Sequence, residues 1–302
     1  MKQRHETKTG PSDGHADPYL RPASLPLRAP GADVPGEPLV SVVMTSFNSS
    51  AWLRESIASM LAQDWDRLEL VLVDDASQDD SVAIALQAAA RDPRVRVLAM
   101  QRNAGTYVAR NAGIRASRGE VVTFCDSDDR CTPDRIGKQL AQLRAPGIVA
   151  STCNYVRVDA SGEVVMNRGL RERQGLVTLM VRREVFDDIG WFDAVRTSAD
   201  DEFFERLRLV YGRPAHANVA EPLYLALHRH DSLSTARATG ANLSDAGEAF
   251  LSPPRQHYVQ AYKAWHAGAV ASGQRPYMPL QVRGQRPFPV DPALLEPGGS
   301  KP

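Results

Sequence analysis

From Val40 the chain alternates short apolar runs with segments of helical spacing. VSVVMTS (40–46) is apolar and β-branched and predicts a buried strand. Residues 51–63 follow with Trp52, Leu53, Ile57, Met60 and Leu61 on one helical face, and Ser49 or Ser50 is placed to cap that helix. LELVLV (68–73), VRVLAM (94–99) and EVVTFCD (120–126) predict three further strands. Segments 81–91, 107–117 and 133–144 predict helices between and after them, the last with Pro133 in its first turn, where proline is tolerated. Strand and helix alternate in this way four times. That pattern predicts an α/β fold, a mostly parallel sheet flanked by helices. In such sheets ligands bind beyond the C-terminal ends of the strands.

After residue 146 the pattern changes. GIVAST and NYVRVDASGEVV suggest strands turned at Ser161-Gly162, and 167–175 is a polar, Arg-rich loop. Residues 176–193 mix strand and short helix, 200–211 is helical, and 216–227 is strand-like. Residues 1–38 carry seven prolines from Pro11 on and few large apolar side chains, which predicts an unstructured tail. The expected organisation is that tail, a folded domain over 39–239 in two halves (39–146 and 147–239), and a poorly patterned extension over 240–302.

The strand ends carry the chemistry. The first ends in Thr45-Ser46-Phe47-Asn48, the second in Asp74-Asp75-Ala76-Ser77, and the fourth in Asp126-Ser127-Asp128-Asp129. Five carboxylates at one sheet edge repel one another unless a cation or hydrogen-bond donors intervene. In an extended segment Asp126 and Asp128 point to one side, a spacing that suits a hard cation such as Mg²⁺ or Mn²⁺. Asp-x-Asp alone is a weak signal, and the bland alternative is a solvated turn.

Composition narrows the classes. Over 302 residues, 36 Lys+Arg balance 36 Asp+Glu, so no net charge favours nucleic acid or an anionic membrane. No apolar run spans a bilayer and no secretory leader is visible, and three cysteines suit a reducing compartment. A cytoplasmic location is expected, with peripheral association at the inner membrane left open. No G-x-G-x-x-G follows a strand, which disfavours a dehydrogenase, and 45–50 lack the basic, Gly-rich loop of a nucleotidyltransferase.

Two stretches, VSVVMTSFNSSAWLRESIASMLAQDWDRLELVLVDDAS and RNAGTYVARNAGIRASRGEVVTFCDSDDRCTPDRI, resemble the family 2 inverting glycosyltransferases of GT-A fold. The style is that of bacterial spore-coat and polysaccharide-assembly members. The resemblance implies that Thr45, Ser46, Phe47, Asn48 and Asp75 cradle the base of a nucleotide-sugar donor, with Asp74 shaping the loop. It implies that Asp126 and Ser127 lie on the ribose side. Asp128 would hold Mn²⁺ or Mg²⁺ on the diphosphate, with Asp126 and Asp129 as further contacts. Arg110, in ARNAG, would reach nucleotide or diphosphate, a surface ion pair being the alternative. The family's general base falls in Ser198-Ala199-Asp200-Asp201-Glu202; alignment on Arg206-Leu207 selects Asp200, with Asp201 the runner-up and Ala199 standing where the family prefers Glu. His230, or else His228, matches the third metal ligand. Trp191-Phe192-Asp193 matches the acceptor side, where core packing competes with sugar stacking. The expected partners are a nucleotide-sugar donor and a glycan or lipid-linked acceptor. The competing reading is a non-catalytic sugar-nucleotide or glycan-binding relative.

Overall fold

The computed structural model describes residues 37–166, 169–229, 241–243, 249–280 and 286–295. The N-terminal tail expected over 1–38 therefore lies almost wholly outside the described residues, as does His230.

The first half follows the alternation closely. β1 (Val40–Ser46), α1 (Leu53–Leu61), β2 (Leu68–Asp74), α2 (Ser81–Arg91), β3 (Val95–Ala99), α3 (Thr106–Ala116) and β4 (Val121–Asp126) succeed one another. The chain then forms β5 (Arg130–Cys131), α4 (Arg135–Leu143), β6 (Ala150–Val158), β7 (Val164–Val165), β8 (Glu172–Gln174) and β9 (Met180–Arg182). α5 (Glu184–Ile189), α6 (Ala199–Tyr211), β10 (His216–Leu227), β11 (Ala241–Leu243), β12 (Ala249–Leu251) and α7 (Pro253–Ala271) complete it.

One ten-stranded sheet carries the path β3-β2-β1-β4-β9-β6-β10-β5, with β7 and β8 pairing to β6. Strands β3, β2, β1 and β4 are parallel, as are β6 and β10. β9 runs antiparallel to both β4 and β6, and β5, β7 and β8 are antiparallel too. The mostly parallel sheet expected from the sequence is thus mixed. Helical crossovers enforce parallel pairing up to β4, whereas β6 turns back through a tight reversal at Asp159–Glu163. GIVAST and NYVRVD also prove to be parts of one nine-residue strand, β6.

Period-two alternation sends successive strand residues to opposite cores. Val43, Val71, Val73, Val122 and Phe124 face α3, α5, α6 and α7. Val42, Met44, Leu70, Leu72 and Cys125 face α1, α2 and α4. α3 lies especially close to the sheet: a Cβ on Gly113 would meet Val43 Cγ1 at 2.4 Å. The Ser49/Ser50 cap predicted for α1 does not form. The Ser49 carbonyl accepts the first helical N–H groups, while its hydroxyl turns to Phe47 O and Ser127 Oγ.

The described residues beyond 240 form regular elements where the sequence showed no pattern. α7 packs Tyr258 and Tyr262 into the α5–α6 core. Gly190, at φ +80°, bridges in parallel to Met278, whose carbonyl would lie 2.0 Å from any Cβ there. No helix among the described residues is long and apolar enough to cross a membrane.

Candidate donor and acceptor cleft

The chain leaves β1 toward β2 on one side and returns through α3 to β4 on the other. The C-terminal ends of β1 and β4 therefore flank a topological switch point, where open α/β sheets bind ligands. Thr45 pairs with Asp126 in the parallel register, which brings the first and fourth strand ends together.

On the β1–β2 side the loops brace each other. Asn48, at φ 50°, donates its N–H to Ser77 Oγ and accepts from Gln78 N. Asp74 accepts from Ser77 N at 2.9 Å and from its hydroxyl, the loop-shaping role expected of it. Asp75 accepts from Ala104 N at 2.7 Å and Gly105 N at 2.8 Å. Burial pushes the Asp75 carboxyl up to about 6, with those two N–H groups opposing the rise. Thr45 and Ser46 are buried, and Ser46 Oγ has no hydrogen-bond partner among the described residues. Phe47 is 46% exposed, an aromatic face presented to solvent at the rim.

The acidic segment is a turn, not an extended run. β4 ends at Asp126, and Asp129 N–H returns to Asp126 O at 3.1 Å. The argument that Asp126 and Asp128 share a side by strand alternation therefore does not apply. β10 pins the turn instead. The Tyr224 hydroxyl accepts Asp126 N–H and donates to Asp129 Oδ2 at 2.7 Å, and Leu227 N–H reaches Asp129 Oδ1. Asp129 is buried and committed to these contacts, and burial together with Asp128 and Asp126 raises its carboxyl well above the ordinary range. Ser127 is buried against Ser49 and Ser56.

Cationic side chains pair with two of the five carboxylates at this edge, and hydroxyl and backbone N–H donors hold the other three. Arg110, 4% exposed, donates to Asp126 Oδ1 at 2.8 Å, an ion pair whose arginine is buried and not on the surface. Its guanidinium also lies 5.4 Å from the centre of the Tyr107 ring. Arg229 pairs with Asp128 Oδ2 at 3.0 Å and stacks 4.6 Å over the Trp52 ring. Among the described residues no three His, Cys, Asp or Glu side chains cluster as a cation site. Asp126 and Asp128 still offer the oxygen donors that Mg²⁺ or Mn²⁺ takes when phosphates and water complete its shell, so the donor set fits such an ion. His228 follows β10 and donates its N–H to Val158 O.

Across the cleft, α6 begins after Ser198, itself in the left-handed region at φ 67°. Its three leading acids all have partners. Asp200 Oδ1 accepts the Tyr107 hydroxyl at 2.6 Å, Asp201 pairs with Arg255 of α7, and Glu202 is buried between Arg206 and His266. Asn111 exchanges two hydrogen bonds with Phe192, fixing the Trp191–Asp193 segment to α3. Phe192 and Asp193 are fully buried, and Trp191 packs on Phe186, so core packing accounts for this segment. Cys125 and Cys131 are buried free thiols beneath the acidic turn.

Sequence reasoning missed Tyr107, Tyr224 and Arg255. Tyr107 could have been found, since it precedes Arg110 by three residues and so shares its helix face. Tyr224 and Arg255 arrive from distant segments whose placement depends on the whole fold.

Comparison with known proteins places this geometry. The chain is 40% identical over 125 residues to the succinoglycan biosynthesis protein ExoO of Rhizobium meliloti, covering 41% of this chain and 35% of that protein. It is 34% identical over 123 residues to the glycosyltransferase GlyG of Streptococcus pneumoniae, covering 41% of each. The chain spans about half the length or less of the curated relatives it matches. Among solved structures, S. aureus TarS in complex with UDP-GlcNAc aligns at TM-score 0.55 and 22% identity, over 66% of this chain and 62% of that one. The mannosyltransferase PcManGT of Pyrobaculum calidifontis, in complex with GDP-Man and Mn²⁺, aligns at TM-score 0.50 and 18% identity, over 80% and 67%. These likenesses show a GT-A-like α/β fold with a partly mixed sheet. The profile described as "Glycosyl transferase family 2" matches residues 41–204, more than half of the 302, and the chain belongs to that family.

Proposed function

We propose that the protein is a metal-dependent inverting glycosyltransferase. It moves a sugar from a nucleoside diphosphate sugar, UDP- or dTDP-linked, to a hydroxyl of a glycan or other envelope acceptor. The observation that carries this reading is a continuous relay across the cleft. Asp126 at the β4 end binds Arg110, Arg110 lies over Tyr107, and Tyr107 donates to Asp200 at the start of α6. One connected set of side chains thus joins the donor rim to a carboxylate on the acceptor side. The kinship with a polysaccharide-biosynthesis protein supports a glycan acceptor.

In this reading Phe47 and Asn48 border the nucleobase, and Thr45, Ser46 and Asp75 line its pocket. A carboxylate at Asp75 accepts a ring N–H of uracil or thymine, and a base without that N–H leaves a buried acceptor unpaired and is strongly disfavoured. Asp126 and Ser127 lie on the ribose side. Asp128 and Asp126 would hold Mn²⁺ or Mg²⁺, which when bound neutralises negative charge on the departing diphosphate. Arg110 adds fixed positive charge beside that group. Asp200 takes the proton from the acceptor hydroxyl as its oxygen attacks the anomeric carbon and the bond from that carbon to the diphosphate oxygen breaks. Tyr107 occupies Oδ1 of Asp200, and Oδ2 receives the proton.

The test is a thermal-shift panel of UDP, dTDP, GDP and their sugar conjugates, with and without Mn²⁺, followed by turnover of the stabilising donor. A ligand that binds only the folded state raises the melting temperature. Asp200→Asn should keep the nucleotide-induced shift and lose transfer, whereas Asp128→Ala should lose the metal-dependent part of the shift. Turnover unchanged in both variants would overturn the assignment.

A further inference from the structure

α7 lies outside the family-matched residues, yet it reaches the acid pair at the head of α6. Arg255, in the first turn of α7, sits with its terminal nitrogen 3.2 Å from Asp201 Oδ2 and is itself largely buried. Tyr107 of α3 holds Asp200 Oδ1. The two neighbouring carboxylates are thus gripped from opposite sides, one by a cation and one by a neutral hydroxyl.

We infer that Arg255 is a positioning residue that removes Asp201 from the reaction by holding it in an ion pair, leaving Asp200, oriented by Tyr107, as the one proton acceptor. This rests on the reading of Asp200 as the base. It also makes the C-terminal extension part of the acceptor site, tied down at Gly190–Met278 and Asp193–Arg286.

The electrostatics agree with the geometry. Partial burial and the Asp200 charge push the Asp201 carboxyl up to about 6, while Arg255 pulls it down. The charged and titratable groups around the pair are Glu202 and Glu205 on α6, Tyr107 and Arg110 on α3, and Arg255 and Tyr262 on α7. Arg255 and Arg110 are the cations in this set, and Arg110 is committed to Asp126. Loss of Arg255 therefore leaves Asp201 beside the Asp200 charge with no adjacent cation, which raises the pH at which Asp201 loses its proton.

The experiment follows the carboxyl carbons of the full chain by ¹³C NMR, assigned with Asp200→Asn and Asp201→Asn. Arg255→Gln should move the Asp201 midpoint upward by about one unit or more, the size expected for losing an adjacent cation. Arg255→Lys, which keeps the charge, should restore most of the wild-type midpoint. With a donor from the thermal-shift panel, the acid limb of the transfer profile should move up in Arg255→Gln, and Asp201→Asn should retain transfer. An Asp201 midpoint unmoved in Arg255→Gln, a Lys variant shifted as far as the Gln variant, or loss of transfer in Asp201→Asn with retention in Asp200→Asn would each overturn the inference. The titration needs no substrate, so it tests the hold of Arg255 on Asp201 separately from the glycosyltransferase reading, which the search for a turned-over donor tests.

Discussion

The Tyr107 hydroxyl donates a 2.6 Å hydrogen bond to Oδ1 of Asp200, ninety-three residues further along the chain. The bond joins α3, which carries the Arg110 of the donor rim, to α6, which carries the candidate base. Tyr107 is fully buried, and that burial with the Asp200 charge drives its hydroxyl well above the ordinary phenol range, so it remains a donor at any physiological pH. A hydrogen bond to a charged group contributes about 1.5–3 kcal/mol. Tyr107→Phe should therefore lower kcat by roughly ten- to a hundred-fold if the bond orients Asp200 in the transition state. The donor KM should change little, because Tyr107 contacts the base and not the nucleotide pocket. Steady-state kinetics that put the whole loss in donor KM would contradict this role.

Close packing of α3 on the sheet predicts a stability effect at Gly113. A methyl there meets Val43 Cγ1 at 2.4 Å and Val73 Cγ2 at 3.0 Å, both in the fully buried core. Overpacking a filled core costs about 1–3 kcal/mol. Replacing glycine by alanine within a helix returns up to about 1 kcal/mol. Gly113→Ala should thus be a net destabilisation, seen as a lower urea midpoint. Any shift of α3 also carries Tyr107 and Arg110 away from their partners, so transfer should fall more than stability alone explains.

The parts of this molecule legible in the sequence are those whose signal is local. Strands β1, β2 and β4 are short apolar runs buried on both faces, β3 is a partly exposed edge strand, and α1 to α4 separate or follow them, so their order and the acidic strand ends follow from pattern alone. The Asp126–Asp129 segment was legible as chemistry but not as geometry, because its turn is pinned by Tyr224 from a strand 98 residues away. α7 was hidden for a different reason. Its buried positions are Tyr258, Tyr262 and His266, with alanines and a glycine around them, so it carries no aliphatic stripe. Its placement comes from tertiary contact with α6. Arg255, and its ion pair with Asp201, could not be read without that contact.

The proposed contact of Asp75 with the nucleobase predicts a pH dependence for nucleotide binding. Its proton leaves near pH 6, because burial disfavours the charge more than Ala104 and Gly105 N–H groups favour it. Folding stability responds in the direction of a raised acid: the contribution of Asp75 is fully present below its unfolded value near 3.9 and is lost as pH rises through 6. Binding of a ring N–H donor runs the opposite way, since it prefers the ionised carboxylate. UDP affinity should be level above pH 7 and fall up to tenfold per unit below 6, measured by calorimetry in a non-coordinating buffer. Asp75→Asn should weaken binding at pH 7.5 and flatten this part of the profile. An unaltered slope in that variant would place the nucleobase elsewhere.

The proposed cation ligand Asp128 is already paired with Arg229, so the arginine and a divalent cation are expected to compete for it. Arg229 holds Asp128 Oδ2 at 3.0 Å and lies over Trp52, so it links the chain after β10 to the acidic turn and to the residue before α1. A cation held by Asp128 must displace that ion pair or share its oxygen. Removing the guanidinium relieves the competition and leaves more negative charge at the rim, and both effects favour a bound cation. Arg229→Ala should therefore tighten Mn²⁺ binding severalfold in the absence of nucleotide, read from the loss of free Mn²⁺ signal in electron paramagnetic resonance. Asp128→Ala should weaken the same binding, and the double variant should resemble Asp128→Ala, since Arg229 acts on the cation through that carboxylate. If Arg229→Ala weakens Mn²⁺ binding instead, the arginine supports the cation site and does not compete with it.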